Sequence, residues 1–190
     1  MRIWMLVVVC LGISVLLAGC VPSVHPLFTP KTIVFDKTLV GTWAEKDSPD
    51  DTWVFNTASD GKSYELAYTE NGHAARFEAH LVRIGSCLFL DTFPSAEGPD
   101  QNTLKVIHLF PAHIFYRVKI EGDSVSVRPF DPEWLQKMLQ QKKLTIAHET
   151  SNGDILLTAQ TTDLQALFRK YGGNESAFQK PGANLLRKKQ

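Results

Sequence analysis

The sequence has no excess charge of either sign and very little cysteine: 20 basic residues balance 20 acidic ones, and only three cysteines occur in 190 residues. A balanced chain carries no electrostatic footprint for nucleic acid, so that partner class is not expected. It also lacks a long hydrophobic run. The apolar stretch from Ile3 to Leu17 is interrupted by Gly12 and Ser14, and it falls short of the roughly 20 apolar residues that a bilayer-spanning helix needs. There is no Cys-x-x-Cys, no glycine loop to cradle phosphate and no Gly-x-Ser-x-Gly elbow. The histidines are His25, His73, His80, His108, His113 and His148, and no two of them stand at a metal-gripping helical spacing. No metal, cofactor or catalytic residue is therefore expected. His80 and His113 fall on outward strand faces, where a solvated or cross-strand role is anticipated.

What is present begins at the amino terminus. Met1-Arg2, the short apolar run and Leu17-Ala18-Gly19-Cys20 are the charged start, greasy core and small residues of an export signal. Leu-Ala-Gly-Cys resembles the lipobox of bacterial lipoproteins, in which the cysteine thiol takes a diacylglyceryl group and becomes the first residue. The resemblance implies that residues 1–19 are a signal peptide and that Cys20 is the lipid-attachment site. It further implies a chain tethered to the bacterial cell envelope, its domain facing the periplasm or the cell surface. Export with cleavage but without lipid is the alternative. One acyl chain holds a protein marginally and two hold it firmly. Val21 follows the cysteine where an Asp would signal inner-membrane retention, which favours the outer membrane. Cys10 would leave with the signal and Cys20 would carry lipid, so Cys87 stands alone and no disulfide is expected. Its apolar neighbours Leu88, Phe89 and Leu90 suggest burial.

Residues 20–38 contain Pro22, Pro26 and Pro30. Proline stiffens a chain without allowing helix, so this segment reads as a spacer lifting the domain off the membrane. Thr32 to Asp36 is too apolar for a free tether and is expected to pack on the domain. A β domain is expected over 39–180, where apolar and polar residues alternate. Tyr64, Leu66 and Tyr68 share one face, as do Ala75, Phe77, Ala79 and Leu81, and Ile114, Tyr116, Val118 and Ile120. Asp60-Gly61, Asn71-Gly72, Gly122-Asp123 and Asn152-Gly153 supply tight turns. Strands are expected near 39–45, 51–57, 63–70, 73–84, 86–93, 103–109, 113–121, 123–129, 144–150 and 154–160, with the longest loop from Phe93 to Asn102. Helices are expected at 132–141, where Asp131-Pro132-Glu133 makes a good start, and at 163–171. A short helical piece spans Glu175 to Phe178, and residues 181–190 read as a flexible tail.

This pattern predicts a mainly β fold, an antiparallel meander closed into a barrel or half-barrel with one or two packed helices. Val82, Ile84, Phe89 and Leu156 would point outward and need cover, which the 163–171 helix can provide. The inner face would carry Trp43, Phe55, Tyr64, Tyr68, Phe77 and Tyr116. A barrel of about eight strands is wide enough either to be filled by such side chains or to hold one small ligand. Both readings stand at this point.

Leu39-Val40-Gly41-Thr42-Trp43 opening an antiparallel meander resembles the Gly-x-Trp start of lipocalins and their calycin relatives. That resemblance implies that Gly41 lets the chain bend and that Trp43 plugs the closed end of the barrel. The helix near 132–141 departs from the lipocalin pattern, and the late-strand arginine that usually packs on the tryptophan is not located in the sequence. The chain also resembles a group of uncharacterised bacterial lipoproteins with the same lipobox, Gly-x-Trp and an ending like Leu157-Thr158-Ala159-Gln160-Thr161. Ser59-Asp60-Gly61-Lys62 matches the Ser-x-x-Lys of penicillin-binding enzymes, but that pair must lie on a helix, and Asp-Gly makes a turn. The leading expectation is a non-catalytic, lipid-anchored envelope protein that takes a small apolar ligand in its barrel. The alternatives are an envelope assembly or interaction module with a filled barrel, its protein partner unspecified, and, least supported, an enzyme.

Overall fold

The computed structural model describes residues 19–95, 110–180 and 182–188. The alternating stretches form strands: β1 (Pro22–Ser23), β2 (Gly41–Glu45), β3 (Thr52–Thr57), β4 (Tyr64–Glu70), β5 (His73–Ile84), β6 (Cys87–Pro94), β7 (His113–Glu121), β8 (Ser124–Pro129), β9 (His148–Ser151), β10 (Asp154–Leu157) and β11 (Ala183–Arg187). Strands β2 to β8 run as an antiparallel meander, β11 fits between β8 and β2, and β6 pairs with β7. These eight strands close a barrel and leave it no open edge. Asn71-Gly72 and Asn152-Gly153 both have positive φ at the two central positions, the backbone that a two-residue hairpin requires. The expected strand at 103–109 and the loop from 96 to 102 lie outside the described residues.

Two stretches depart from expectation. Residues 183–187 are a barrel strand and not part of a flexible tail: β11 bonds β8 on one side and β2 on the other, and Leu185 is buried. Five residues give too short an alternation to stand out, and the basic end after Leu186 hides it. Residues 20–38 are not a spacer. β1 pairs with β7 and β10, Val21 and Leu27 are buried, and Ile33 bridges to Val82. Prolines forbid helix but not an extended strap, and the apolar side chains between them anchor it. Thr32 to Asp36 packs on the barrel as expected, with backbone bonds from Val34 N to Leu81 O and from Arg83 N to Thr32 O, both 2.9 Å.

Among the described residues two α-helices cover the outside: α1 (Pro132–Gln140) and α2 (Thr161–Tyr171). Asp131 caps α1 by accepting from Trp134 N at 2.8 Å, and Pro132 occupies a position whose N–H has no helical partner. On α2, Leu164, Leu167 and Phe168 form the apolar stripe and meet Val82, Ile84 and Phe89 on the barrel wall. In β10 it is Ile155 and Leu157 that are buried, while Leu156 is half-buried. Cys87 is half-buried rather than buried, packed at the margin of the same layer. The described residues thus form two apolar cores, one inside the barrel and one between barrel wall and helices.

Candidate functional site

The barrel is sealed at one end. Trp43 is fully buried and donates from Nε1 to Leu39 O at 2.8 Å. The Arg187 guanidinium lies 4.2 Å from its ring centre and donates to Val40 O at 3.1 Å and to Thr38 O. A cation over an indole face gains from the ring quadrupole, and its N–H groups satisfy carbonyls left unpaired where the chain bends. Arg187, on the last barrel strand, thus packs on the tryptophan of the first. Gly41 has φ 131°, and a Cβ there would stand 2.9 Å from the arginine, so glycine is required. Phe55 and Tyr64 fill the space above this floor. The Tyr64 hydroxyl accepts from Asp36 N at 2.7 Å and donates to Asp36 O at 3.1 Å. Burial pushes its pKa up to about 12, so it remains a neutral clasp.

Towards the other end the interior is hollow. A cavity of about 260 Å³ is lined by Trp53, Leu66, Tyr68, Phe77, Thr92, Tyr116, Val127, Pro129 and Ala183. Burial raises the pKa of the Tyr116 phenol, with the neighbouring Cys20 second. Burial also raises that of Tyr68, with the carboxylates of Glu70, Glu45 and Asp51 next. Both phenols stay uncharged, so the lining is apolar and neutral. Such a lining suits a neutral, apolar guest, and the volume sits just below the roughly 300–1,000 Å³ of drug-sized sites.

The six aromatic residues expected to face inward all do so, but they divide. Tyr68, Phe77 and Tyr116 line the cavity, whereas Trp43, Phe55 and Tyr64 are the packed floor. Trp53 is an aromatic cavity residue absent from the expected set, as are the smaller lining residues Leu66, Thr92, Val127, Pro129 and Ala183. It stands two residues before Phe55, pairs with Trp43 and Tyr68 across the strands, and donates from Nε1 to Glu45 Oε1 at 3.2 Å. Its place in that alternation was the available signal. Cys20 lies at the same end: it is exposed and precedes the β1–β7 pairing of Pro22 with Ile114, which places it alongside Tyr116. Partial desolvation raises the thiol pKa.

A second polar cluster lies on the outer wall. Asp91, 1% exposed, accepts from Leu27 N at 2.7 Å, and its other oxygen meets His113 Nδ1 at 2.7 Å. His80 is buried and stacked on Phe28 with ring centres 3.8 Å apart, and burial lowers its pKa. His113 keeps the cross-strand role expected of it, but His80 is not solvated. The bond to Leu27 N clamps the 20–38 strap to the barrel, and the bond to His113 ties β6 to β7. Ser23, which pairs with His113 across β1 and β7, donates to His25 O at 2.8 Å. Among the described residues no group of three metal-ligating side chains converges, and no helix is long and apolar enough to cross a membrane.

The fold and the hollow define a closed eight-stranded antiparallel barrel with one sealed and one open, aromatic-lined end. Comparison with protein-family models, with curated proteins and with solved structures finds no match for this chain.

Proposed function

We propose that this chain is a non-catalytic lipoprotein of the bacterial envelope, held by lipid on Cys20, that takes a small or apolar ligand in its barrel. The observation that carries this reading is the cavity above the Trp43–Arg187 floor, lined by Trp53, Tyr68, Phe77 and Tyr116. A barrel used only as a scaffold gains nothing from leaving such a space empty, because each missing contact forfeits dispersion energy. A built floor with a hollow above it is the arrangement of a container. The lipobox at Cys20 and the apolar lining favour an envelope location and an apolar guest together.

Native mass spectrometry of the full chain, extracted gently from its host membrane, tests the reading. The expected result is a mass increment on Cys20 and a second, noncovalent adduct that is lost on activation. Repeated recovery of an empty barrel would remove the carrier reading and leave a role in envelope assembly through its surface.

A further inference from the structure

We infer that the open end of the barrel, on its β6–β8 side, is a membrane-contacting surface through which the acyl chain of a bilayer lipid enters the cavity directly. The inference rests on the lipid anchor and the carrier reading proposed above, and it names the ligand class and the route. The first support is the lack of slack behind the anchor. Val21, the residue after Cys20, is 2% exposed, and Pro22 pairs with Ile114 of β7. A diacylglyceryl group on Cys20 would therefore pull the barrel down with it, and no flexible stalk would hold the domain away.

The second support is where Cys20 stands. The antiparallel β1–β7 register, continued back from the Pro22–Ile114 pair, brings the Cys20 sulfur alongside Tyr116, whose ring lines the cavity. Lipid at this atom sets the interface at the cavity mouth, while the Arg187 floor faces away. The third is the neighbouring surface. Phe110, three residues before β7 and so at this same end, is 71% exposed, the largest exposure of any big apolar side chain among the described residues. A lone exposed ring beside an anchor is the kind of group that inserts among head groups. The fourth is charge. Exposed Asp47 and Asp50, which outnumber Lys46 in the β2–β3 turn, and Glu70 at the end of β4 stand on the opposite sector of the same rim. Anionic lipid repels that sector, so the barrel is expected to lean on its β6–β8 side. An acyl chain moving between bilayer and cavity by this route never exposes its methylenes to water, which removes the main barrier to transfer.

The test uses the lipidated full chain in phosphatidylcholine vesicles containing a minor fraction of phosphatidylglycerol. Three exposed positions receive a nitroxide label in a Cys87→Ser background: Phe110→Cys, Asp50→Cys and, in the hairpin at the sealed end, Lys62→Cys. Collision with oxygen relative to a water-soluble nickel chelate reads depth. The expected result is a ratio several-fold higher at position 110 than at 50 and 62. A ratio at 110 equal to that at 62, or recovery of the chain with no lipid on Cys20, would overturn the orientation. The vesicle-bound protein is then photolysed with a phosphatidylcholine bearing a diazirine in one acyl chain, and adducts on the Tyr68, Phe77 or Tyr116 peptides are expected. A lipid-facing position 110 with adducts confined to the outer surface would overturn the entry route. Carriage of some other molecule, seen as a noncovalent adduct in mass spectrometry, would survive that result.

Discussion

The barrel wall separates two apolar regions built from the same residue types and finished differently. On its outer side Phe89, Phe115, Phe130, Phe168 and Phe178 close on one another, with ring centres of 5.0–6.4 Å between Phe168 and its four partners. On its inner side Trp43, Phe55 and Tyr64 are packed as tightly, but above them Trp53, Tyr68, Phe77 and Tyr116 stand round a space of about 260 Å³. Aromatic content alone therefore does not distinguish core from container. The difference lies in what caps each cluster. Helix α2 lies on the outer cluster, whereas nothing but the rim tops the inner one among the described residues. The outer layer secures stability and the strap; the inner hollow is free for a guest.

The largest effect that sharpens this contrast is expected at Phe168. Replacing it with Ala removes the ring that all four others touch, and such a truncation in a core with no room to collapse costs about 3–5 kcal/mol. Urea unfolding monitored by circular dichroism should show the midpoint fall accordingly. Protein that remains folded should keep its cavity, so ligand retention at low denaturant is expected to be unchanged.

Overfilling should separate the two regions as clearly as emptying does. At Gly172, the end of α2, an added Cβ would lie 2.4 Å from Phe168 O and 2.7 Å from Phe89 Cζ. Gly172→Ala gains up to about 1 kcal/mol of helix propensity but forces strain of about 1–3 kcal/mol, so a net loss of about 1–2 kcal/mol is expected. Ala183→Phe places a ring into the inner hollow. It should change stability by less than about 1 kcal/mol, since it fills space instead of displacing atoms, while lowering ligand occupancy at least about tenfold. If Ala183→Phe proved as destabilising as Gly172→Ala, the inner space would not be a cavity.

The long hairpins made the barrel legible. In β5, Ala79 and Leu81 face in while Val82 and Ile84 face out, and the second pair needed cover that α2 provides. Helix α1 was readable from its Asp131 cap, both helices from their apolar stripes, and the inward aromatics from their period. Which of those aromatics border a space was not readable, because alternation gives a side chain's face and not its depth along the barrel axis. Arg187 was missed for another reason. It does its work only because β11 closes the barrel, a pairing between residues more than a hundred positions apart that leaves no local mark. The strap was hidden by its prolines, and Asp91 by standing in an apolar strand whose neighbours gave no hint that a carboxylate clamps Leu27 N.

The smallest expected effect concerns that clamp and tests whether the outer layer responds to pH while the cavity does not. Burial lowers the pKa of His80 below its usual 6.5, and Glu78, 3.5 Å away, offsets part of this. Above pH 6.5 the imidazole is neutral in folded and unfolded chain alike, and the fold keeps its full stability. As pH falls below that value the unfolded chain takes up the proton first, so stability is lost until the folded value is also passed. Unfolding midpoints measured from pH 7 down to about pH 5.5 should therefore decline, and the decline should flatten in His80→Gln, which keeps a polar side chain under Phe28 without a titrating group. Because Tyr68 and Tyr116 remain neutral across that range, ligand retention should stay level while stability falls. A wild-type protein that grew more stable on acidification would mean that Glu78 and Asp91 outweigh desolvation at His80, and the strap would then be held by charge and not by packing.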